Sequence, residues 1–193
     1  LLSANKNIIE ILKQIKIFNV KNIVVTNYQK FLQIKKILNK KNINIFNNFD
    51  SINKIFNKKK IDYVMSSISG IEGLEPTIKI IKFTKKIAIA NKESIICGWP
   101  LIKKELLKNK TKFIPIDSEH YSIYSLIGKS KNVNIEKVFL TASGGPFNNY
   151  PLNKFKSIKL KSALNHPNWK MGKKITIDSA TMMNKVFEVI EAK

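Results

Sequence analysis

Short runs of β-branched and other apolar residues alternate with segments of helical periodicity through the first half of the chain. The runs that predict strands are residues 23–26, 43–46, 63–66, 87–90 and, further along, 113–116. Apolar residues at helical spacing predict helices over residues 31–38, 52–57 and 74–83. Strands that alternate with helices are typical of a parallel sheet with helices on its faces. The pattern therefore predicts an α/β fold, in which ligands bind beyond the carboxyl ends of the strands.

Two turns at the ends of predicted strands suit a bound nucleotide or phosphate. Residues 66–70 lead from a strand through Gly73 into a helix, and the glycines there permit close approach of a ligand. Residues 90–94 also lie where a strand gives way to a helix. An ordinary strand-to-helix turn is the alternative interpretation of each segment. The motif G-x-G-x-x-G, which opens many dinucleotide-binding units, does not occur here, so we expect any such turn to lie upstream of Leu1.

The second half of the chain has a different character, with glycine and proline clustered among polar residues. We place the boundary between the two parts near residue 116 and predict one further strand over residues 137–140. The chain starts without a methionine and stops inside a helical pattern at its last residues, 185–193. We therefore expect it to be a fragment of a longer protein.

The segment Asp117-Ser118-Glu119-His120 brings two carboxylates together at the end of a predicted strand. If the backbone is still extended there, residues 117 and 119 point to the same side. Paired carboxylates suit a hard cation such as Mg²⁺ or Mn²⁺, which prefers oxygen ligands. The alternative is a helix that starts with Asp117 as its N-cap and Glu119 in its first turn.

Two loops and one helix carry further candidate chemistry. Residues 141–147 combine Ser143 with two glycines, which suits a phosphate or an oxyanion, although a plain turn has the same composition. Residues 166–172 place a histidine and a tryptophan in a loop, where the tryptophan could cover a ligand. A helix is expected to begin at Asp178, with residues 184 and 188 on one face. That face could bind metal and phosphate together, or could simply be solvated.

The formal net charge of +22 raises the alternative of a nucleic-acid-binding protein. Every basic residue is lysine, however, whereas recognition of bases and phosphates favours the planar fork of arginine. The lysines are spread among asparagines and isoleucines, and A- and T-rich codons encode all three. Drift in base composition therefore explains the charge, and we expect no nucleic-acid partner. No apolar run approaches the roughly 20 residues of a membrane span, so we expect no membrane partner either.

The single cysteine excludes a disulfide framework or a cysteine zinc site built from this chain alone. This composition fits a reducing compartment such as the cytoplasm. Because Cys97 follows the apolar pair Ile95-Ile96, we expect a buried, unreactive thiol.

Five segments together resemble the signature sequences of the 1-deoxy-D-xylulose 5-phosphate reductoisomerase family. They are residues 90–94, 115–120, 141–147, 166–172 and 174–191. The segments occur in the family's order, and the resemblance covers essentially the whole chain. It implies a Rossmann-like NADPH-binding domain over residues 1–116, incomplete on its N-terminal side, followed by the start of an α+β catalytic domain over residues 117–193. The chain would then be an internal piece, about half of a family enzyme.

The resemblance implies a role for each matching residue. The ligands of Mg²⁺ or Mn²⁺ would be Asp117, Glu119 and Glu188, and the catalytic set adds Lys92 and His166. The substrate's carbon backbone would meet Lys92, Ser118 and His166, and its phosphate would meet Ser143, Ser179, Asn184 and Lys185. A flexible flap over the site would contain Trp169 and Met171. NADPH would contact Ala4, Lys6 and Asn7 at its adenosine end and Gly70, Asn91, Glu93 and Met171 elsewhere.

The same resemblance implies an activity. The family rearranges 1-deoxy-D-xylulose 5-phosphate, chelated through two oxygens by the metal ion, to an aldehyde that NADPH reduces to 2-C-methyl-D-erythritol 4-phosphate. This reaction belongs to the non-mevalonate isoprenoid route, and family members are typically homodimers in the bacterial cytoplasm or in plastids. Three residues depart from the family pattern: Asn5 and Val186 replace glycine, and Tyr121 replaces a smaller polar residue. The alternatives are a non-catalytic relative, a lysine-rich nucleic-acid-binding module and a phosphate-binding sugar enzyme without redox chemistry.

Overall fold

The computed structural model describes residues 1–39, 41–57, 59–128 and 134–192. Its strands are β1 (Leu2–Ala4), β2 (Asn22–Val25), β3 (Asn44–Phe46), β4 (Ile61–Ser66), β5 (Thr84–Ile89) and β6 (Lys112–Pro115). Its helices are α1 (Ile8–Phe18), α2 (Tyr28–Ile37), α3 (Ser51–Phe56), α4 (Leu74–Ile81), α5 (Lys92–Asn109), α6 (Ser118–Ile127), α7 (Leu160–Ala163), α8 (Lys173–Ala180) and α9 (Met183–Ala192). Short 3₁₀ turns cover Ile71–Gly73, Gly145–Phe147 and Leu152–Ser157.

The strands form two three-stranded sheets in which every pairing is parallel. The first sheet has the order β1-β2-β3, with Ile23 opposite both Leu2 and Ile45. The second has the order β4-β5-β6, with Ile87 opposite both Val64 and Phe113. Parallel neighbours require a crossover, and each connection between paired strands contains a helix. The predicted parallel α/β fold is therefore confirmed, together with the five strands predicted in the first half and at residues 113–116.

The first strand and the first helix are not among the predicted elements. β1 has only three residues, too few to display a period-two pattern. α1 buries Ile8, Ile11 and Ile15 on one face, but Ile9 and Ile17 are about 70% exposed and blur the apolar stripe. Its N-cap is Asn7, whose side-chain oxygen accepts a hydrogen bond from the backbone N–H of Glu10.

Three expectations about later segments and Cys97 are wrong. The predicted strand at residues 137–140 does not form, and no strand in the described part of the chain pairs with this segment, in which Phe139 is 84% exposed. The helix predicted to begin at Asp178 is two helices, because Met182 has a φ of +61° and separates α8 from α9. Cys97 lies on the exposed face of α5 rather than in the core. None of the helices in the described ranges is both long and apolar enough to cross a membrane.

Each sheet has a core of its own, built from the strand residues and the helices that cover them. In the first sheet, fully buried Ile23 and Val25 pack with Ile34 of α2. In the second sheet, Ile87 and Ile89 pack with Ile102 of α5. α5 is thereby held against β5 and β6, and its first turn is fixed at the carboxyl ends of these strands.

Replacing Ile102 by alanine tests the role of α5 in this core. The side chain is 0% exposed, so its removal leaves a cavity, and we expect the free energy of unfolding to fall by about 2–5 kcal/mol. Denaturant titration of the complete gene product measures the loss. The neighbouring Leu101 is 56% exposed, so Leu101→Ala is the matched control with an expected change within about 0.5 kcal/mol. Equal losses in the two variants would contradict the packing described here.

Candidate active site

A cavity of about 600 Å³ lies at the carboxyl ends of β5 and β6. The first turns of α5 and α6, the loop before the Gly145–Phe147 turn, and helices α8 and α9 surround it. Every residue predicted to be catalytic or to bind substrate lines this cavity. They are Lys92, Asp117, Ser118, Glu119, Ser143, His166, Trp169, Ser179, Asn184, Lys185 and Glu188, together with Met171. Segments that are up to about a hundred residues apart in sequence therefore meet in one place.

Three carboxylates form the centre of the site. Asp117 is the N-cap of α6, Glu119 lies in the first turn of that helix, and Glu188 projects from α9. One oxygen from each carboxylate lies within 4.8 Å of the others, and Glu188 is 1% exposed. The helix starts at Ser118, so the expectation of an extended backbone from 117 to 119 is wrong and the N-cap alternative is confirmed. The two carboxylates nevertheless converge, because the helix start turns both toward α9.

Two lysines balance the carboxylate charges, and the Asn184 amide is hydrogen-bonded within the cluster. Lys92 Nζ lies 2.9 Å from Asp117 Oδ2 and 3.6 Å from Glu188 Oε1, and it donates to Asn184 Oδ1 at 3.0 Å. Lys185 Nζ lies 2.5 Å from Glu188 Oε2 and 3.1 Å from Glu119 Oε1. Asn184 Nδ2 in turn donates to Glu188 Oε1 at 2.6 Å. The predicted proximity of residues 184 and 188 on one helical face is thus confirmed.

The surroundings shift the pKa of three groups in and beside the cluster. Burial alone would raise the pKa of Asp117, but the contact with Lys92 outweighs it and holds the pKa below its usual range. Burial likewise opposes the charge of Lys185, yet hydrogen bonds to Glu188 and Glu119 leave its pKa raised. Glu191, next to the cluster on α9, has a raised pKa chiefly because it is buried.

The donor set fits a divalent hard cation. Asp117, Glu119 and Glu188 offer only oxygen atoms, which are the ligands that Mg²⁺ and Mn²⁺ prefer. One oxygen of each lies within 4.8 Å of the others, so a small closing movement of the side chains would bring all three to one ion. The site can therefore hold such an ion between α6 and α9.

The opposite wall carries hydroxyl and backbone N–H donors. Ser143 Oγ lies 3.3 Å from His166 Nε2 and accepts from the backbone N–H of Gly145 at the same distance. Gly145 has a φ of +63°, and an added Cβ would lie 2.9 Å from the carbonyl oxygen of Ser179, so this loop packs directly on the end of α8. Ser143 and Ser179 are thereby brought to the same side of the cavity.

His166 has a defined proton position. Its side chain is buried, and its Nδ1 accepts hydrogen bonds from the backbone N–H groups of Asn168 and Trp169, both at 3.1 Å. In a neutral ring the other nitrogen, Nε2, then carries the hydrogen and presents it to Ser143 and the cavity. Trp169 is 65% exposed at the rim. The loop can therefore offer a donor inside the cavity and an aromatic side chain at its mouth.

A second cavity of about 570 Å³ adjoins the first and shares Lys92 and Asn184 with it. Gly70, Asn91 and Glu93, which are predicted to meet the cofactor, line this second cavity. Asn91 caps α5 through Ser94 N and donates to the carbonyl oxygens of Ile68 and Gly70, so it ties the two predicted turns together.

The remaining predicted cofactor residues lie in the other sheet. Ala4 ends β1, Lys6 is exposed in the following turn, and Asn7 caps α1. These three residues belong to the part of the chain that the structure describes, and they line neither the first nor the second cavity. They lie at the carboxyl edge of the first sheet, where an α/β fold binds ligands.

Two residues of the site have no role in the sequence analysis. His120 and Glu191 lie against the carboxylate cluster, with side chains only 11% and 6% exposed. The spacing of three between Glu188 and Glu191 on a helix was the available signal, because it places both on neighbouring turns of one face. His120 directly follows Glu119, but the direction of its side chain depends on the helix that starts at Ser118.

The parallel α/β fold is of the class that binds nucleotides. A candidate metal site, made of three carboxylates, lies beside the loop that contains Ser143. Two family models match the chain: "1-deoxy-D-xylulose 5-phosphate reductoisomerase" over residues 1–98, and the C-terminal domain of the same enzyme over residues 113–193. The chain belongs to the 1-deoxy-D-xylulose 5-phosphate reductoisomerase family, as its sequence motifs predict.

Curated relatives and solved structures agree with this membership. The reductoisomerase of Pelagibacter ubique (strain HTCC1062) is 64% identical over 100% of the chain and 50% of the relative, and that of Clostridium tetani is 44% identical over 98% and 50%. The Zymomonas mobilis enzyme in complex with NADPH superposes with a TM-score of 0.85 at 31% identity, covering 98% of this chain and 48% of that one. A reductoisomerase complex with NADPH, fosmidomycin and magnesium gives 0.84 at 32% identity, covering 98% and 49%. The chain spans about half the length of the relatives it matches.

Proposed function

We propose that this chain carries the metal- and substrate-binding core of an enzyme that converts 1-deoxy-D-xylulose 5-phosphate to 2-C-methyl-D-erythritol 4-phosphate with NADPH. The observation that carries the proposal is the convergence of Asp117, Glu119 and Glu188 within 4.8 Å, beside lysine, serine and histidine side chains. The named activities of the similar proteins, and their complexes with NADPH and magnesium, support it. The overall change is substrate plus NADPH and one proton to product plus NADP⁺.

The two walls of the cavity have different tasks in this proposal. Ser143, Ser179, Asn184 and Lys185 bind the phosphate, for which hydroxyl, amide and ammonium donors are suited. Binding energy from the phosphate, remote from the reacting carbons, then orients the carbon chain against the carboxylates. Lys92, between Asp117 and Asn184, donates to the substrate's oxygens. The N–H group at Nε2 of His166 donates a hydrogen bond into the substrate site.

The metal ligands and the second cavity provide for the chemical steps. When bound, the divalent ion would supply positive charge at the substrate's carbonyl and hydroxyl oxygens, and NADPH would supply a hydride. Asp117, Glu119 and Glu188 fix the position of that charge. Gly70, Asn91 and Glu93 would hold part of the cofactor in the second cavity, and Lys92 and Asn184 line both cavities. Trp169 and Met171 at the rim close over the substrate and exclude water.

The wider context of the enzyme belongs to the same proposal. The proposed reaction is a step of the non-mevalonate isoprenoid route, so the proposal assigns the enzyme to that route. Ala4, Lys6 and Asn7 would meet the adenosine end of the cofactor, and residues 1–116 and 117–193 would be the nucleotide-binding and catalytic parts. The bacterial origin of the similar proteins named above supports a cytoplasmic compartment. The family resemblance supports a homodimer of the full-length protein.

Substrate-dependent oxidation of NADPH by the complete gene product tests this function. We expect turnover with 1-deoxy-D-xylulose 5-phosphate and Mn²⁺ or Mg²⁺, and loss of turnover when a chelator removes the metal. Addition of excess Mn²⁺ should restore the rate. Fosmidomycin, which is bound in similar structures, should inhibit. Turnover that persists at full rate in the chelator would contradict the metal part of the proposal, and absence of turnover from a folded, metal-loaded protein would contradict the whole of it.

A further inference from the structure

His120 and Glu191 lie behind the carboxylate cluster, and neither belongs to the proposed ligand set. His120 is in the first turn of α6, and Glu191 is near the end of α9, the helix that carries Glu188. Their side chains are 11% and 6% exposed. Ionisable side chains are seldom buried to this extent without a partner. Their contacts therefore indicate their role.

The first contact joins the two helices that supply the carboxylates. His120 Nε2 lies 2.9 Å from the backbone carbonyl oxygen of Glu188. A carbonyl oxygen can only accept, so Nε2 carries the hydrogen and donates it. His120 directly follows Glu119 in α6. One hydrogen bond thus sets the spacing between Glu119 and Asp117 on one side and Glu188 on the other.

The second contact concerns the orientation of Asp117. The Oδ2 atom of this carboxylate faces Lys92 at 2.9 Å. The other oxygen, Oδ1, lies 3.6 Å from His120 Nδ1, which is also 3.6 Å from Glu191 Oε2. These three atoms are buried and have no hydrogen-bond partner among the residues that the structure describes. Asp117 therefore lies between Lys92 on its Oδ2 side and the pair His120 and Glu191 on its Oδ1 side.

We propose that His120 and Glu191 form a positioning pair for the metal site. His120 holds the backbone at Glu188 against α6, and together with Glu191 it orients Asp117 so that a carboxylate oxygen faces the cation. The pair acts through the ligands and contacts neither substrate nor cation. Loss of such outer partners typically weakens metal binding about 10- to 100-fold. This inference rests on the metal site proposed above.

Binding of Mn²⁺ to the complete gene product tests the pair without any turnover. The electron paramagnetic resonance signal of free Mn²⁺ gives both the affinity and the number of ions bound per chain. We expect one ion per chain in the unsubstituted protein and a dissociation constant about tenfold higher in Glu191→Gln. Glu136→Gln is the matched control, because the Glu136 side chain is 90% exposed and belongs to neither group of side chains that could hold an ion, and we expect no change there.

Two substitutions of His120 separate its contacts. The amide of His120→Gln can reach the position of Nε2 and keep the bond to the Glu188 carbonyl, whereas His120→Asn can replace only the group at Nδ1. We expect each variant to retain part of the affinity that His120→Ala loses. Because glutamine is close to glutamate in shape, Glu191→Gln carries the test even if His120→Ala does not fold, as judged by circular dichroism.

Three outcomes would overturn the inference. Unchanged Mn²⁺ affinity in Glu191→Gln and in folded His120 variants would remove the positioning role. A second Mn²⁺ ion that disappears in Glu191→Gln would make Asp117, His120 and Glu191 ligands themselves, since their atoms also lie within 4.8 Å of one another. Failure of the unsubstituted protein to bind Mn²⁺ would instead reject the proposed metal site, and the pair with it.

Discussion

Glu188→Gln should weaken Mn²⁺ binding by more than ~100-fold, beyond the range for an outer partner, and should abolish turnover. Glu188 is 1% exposed, and its two oxygens meet Lys92, Asn184 and Lys185. The amide keeps the shape of the side chain but removes the charge that a cation needs. Titration of Mn²⁺ and the rate of NADPH oxidation by the complete gene product measure the two effects.

The same variant should be less stable. Removal of a partner that leaves a buried charge fully uncompensated typically costs about 3–5 kcal/mol, and we expect a smaller loss here because both lysines keep a second carboxylate. Lys185, whose side chain is 17% exposed, is left with Glu119 alone at 3.1 Å. Glu10→Gln is the control, because its carboxylate lies at a half-exposed position on α1. Retention of Mn²⁺ affinity by a folded Glu188→Gln protein would exclude Glu188 from the ligand set.

Lys185→Gln should raise the KM for the phosphorylated substrate about 10- to 100-fold, which corresponds to loss of one charge-assisted hydrogen bond of about 1.5–3 kcal/mol. The ammonium group lines the same cavity as Ser143 and Ser179, and its contacts with Glu188 and Glu119 keep it charged. Steady-state kinetics with varied substrate measures the change.

The control for this variant is Lys13→Gln on α1, which removes the same charge at a position 65% exposed. It separates local phosphate binding from the effect of overall charge, because a chain of net charge +22 attracts anions at long range. A KM that rises equally in both variants would contradict the phosphate role of Lys185. A KM unchanged in Lys185→Gln would contradict it as well.

The sequence predicts the fold well where the pattern is long and local. The strands that contain Ile23 and Ile87 are buried apolar runs, and both were predicted within a few residues of their bounds. The segment 137–140 is also rich in apolar residues but forms no strand, because a strand requires a neighbour for its backbone hydrogen bonds and composition does not provide one. β1 is three residues long and gives no pattern to detect.

Prediction of the site depended on motifs rather than on periodicity. Family motifs indicated Asp117, Glu119 and Glu188, and the structure brings them together. The local geometry was less accessible, since the break at Met182 depends on a left-handed backbone conformation at a non-glycine residue. His120 and Glu191 were missed because their importance arises from contacts between α6 and α9, which are far apart in sequence.

Transfer of deuterium from labelled NADPH to the product tests the proposed rearrangement and reduction. The complete gene product would be incubated with Mn²⁺, 1-deoxy-D-xylulose 5-phosphate and NADPH deuterated at the transferred position, and the product analysed by mass spectrometry and NMR. We expect a branched polyol phosphate that carries one deuterium on the carbon reduced from the aldehyde. A product that keeps the unbranched carbon skeleton, or one without deuterium, would contradict the proposed reaction.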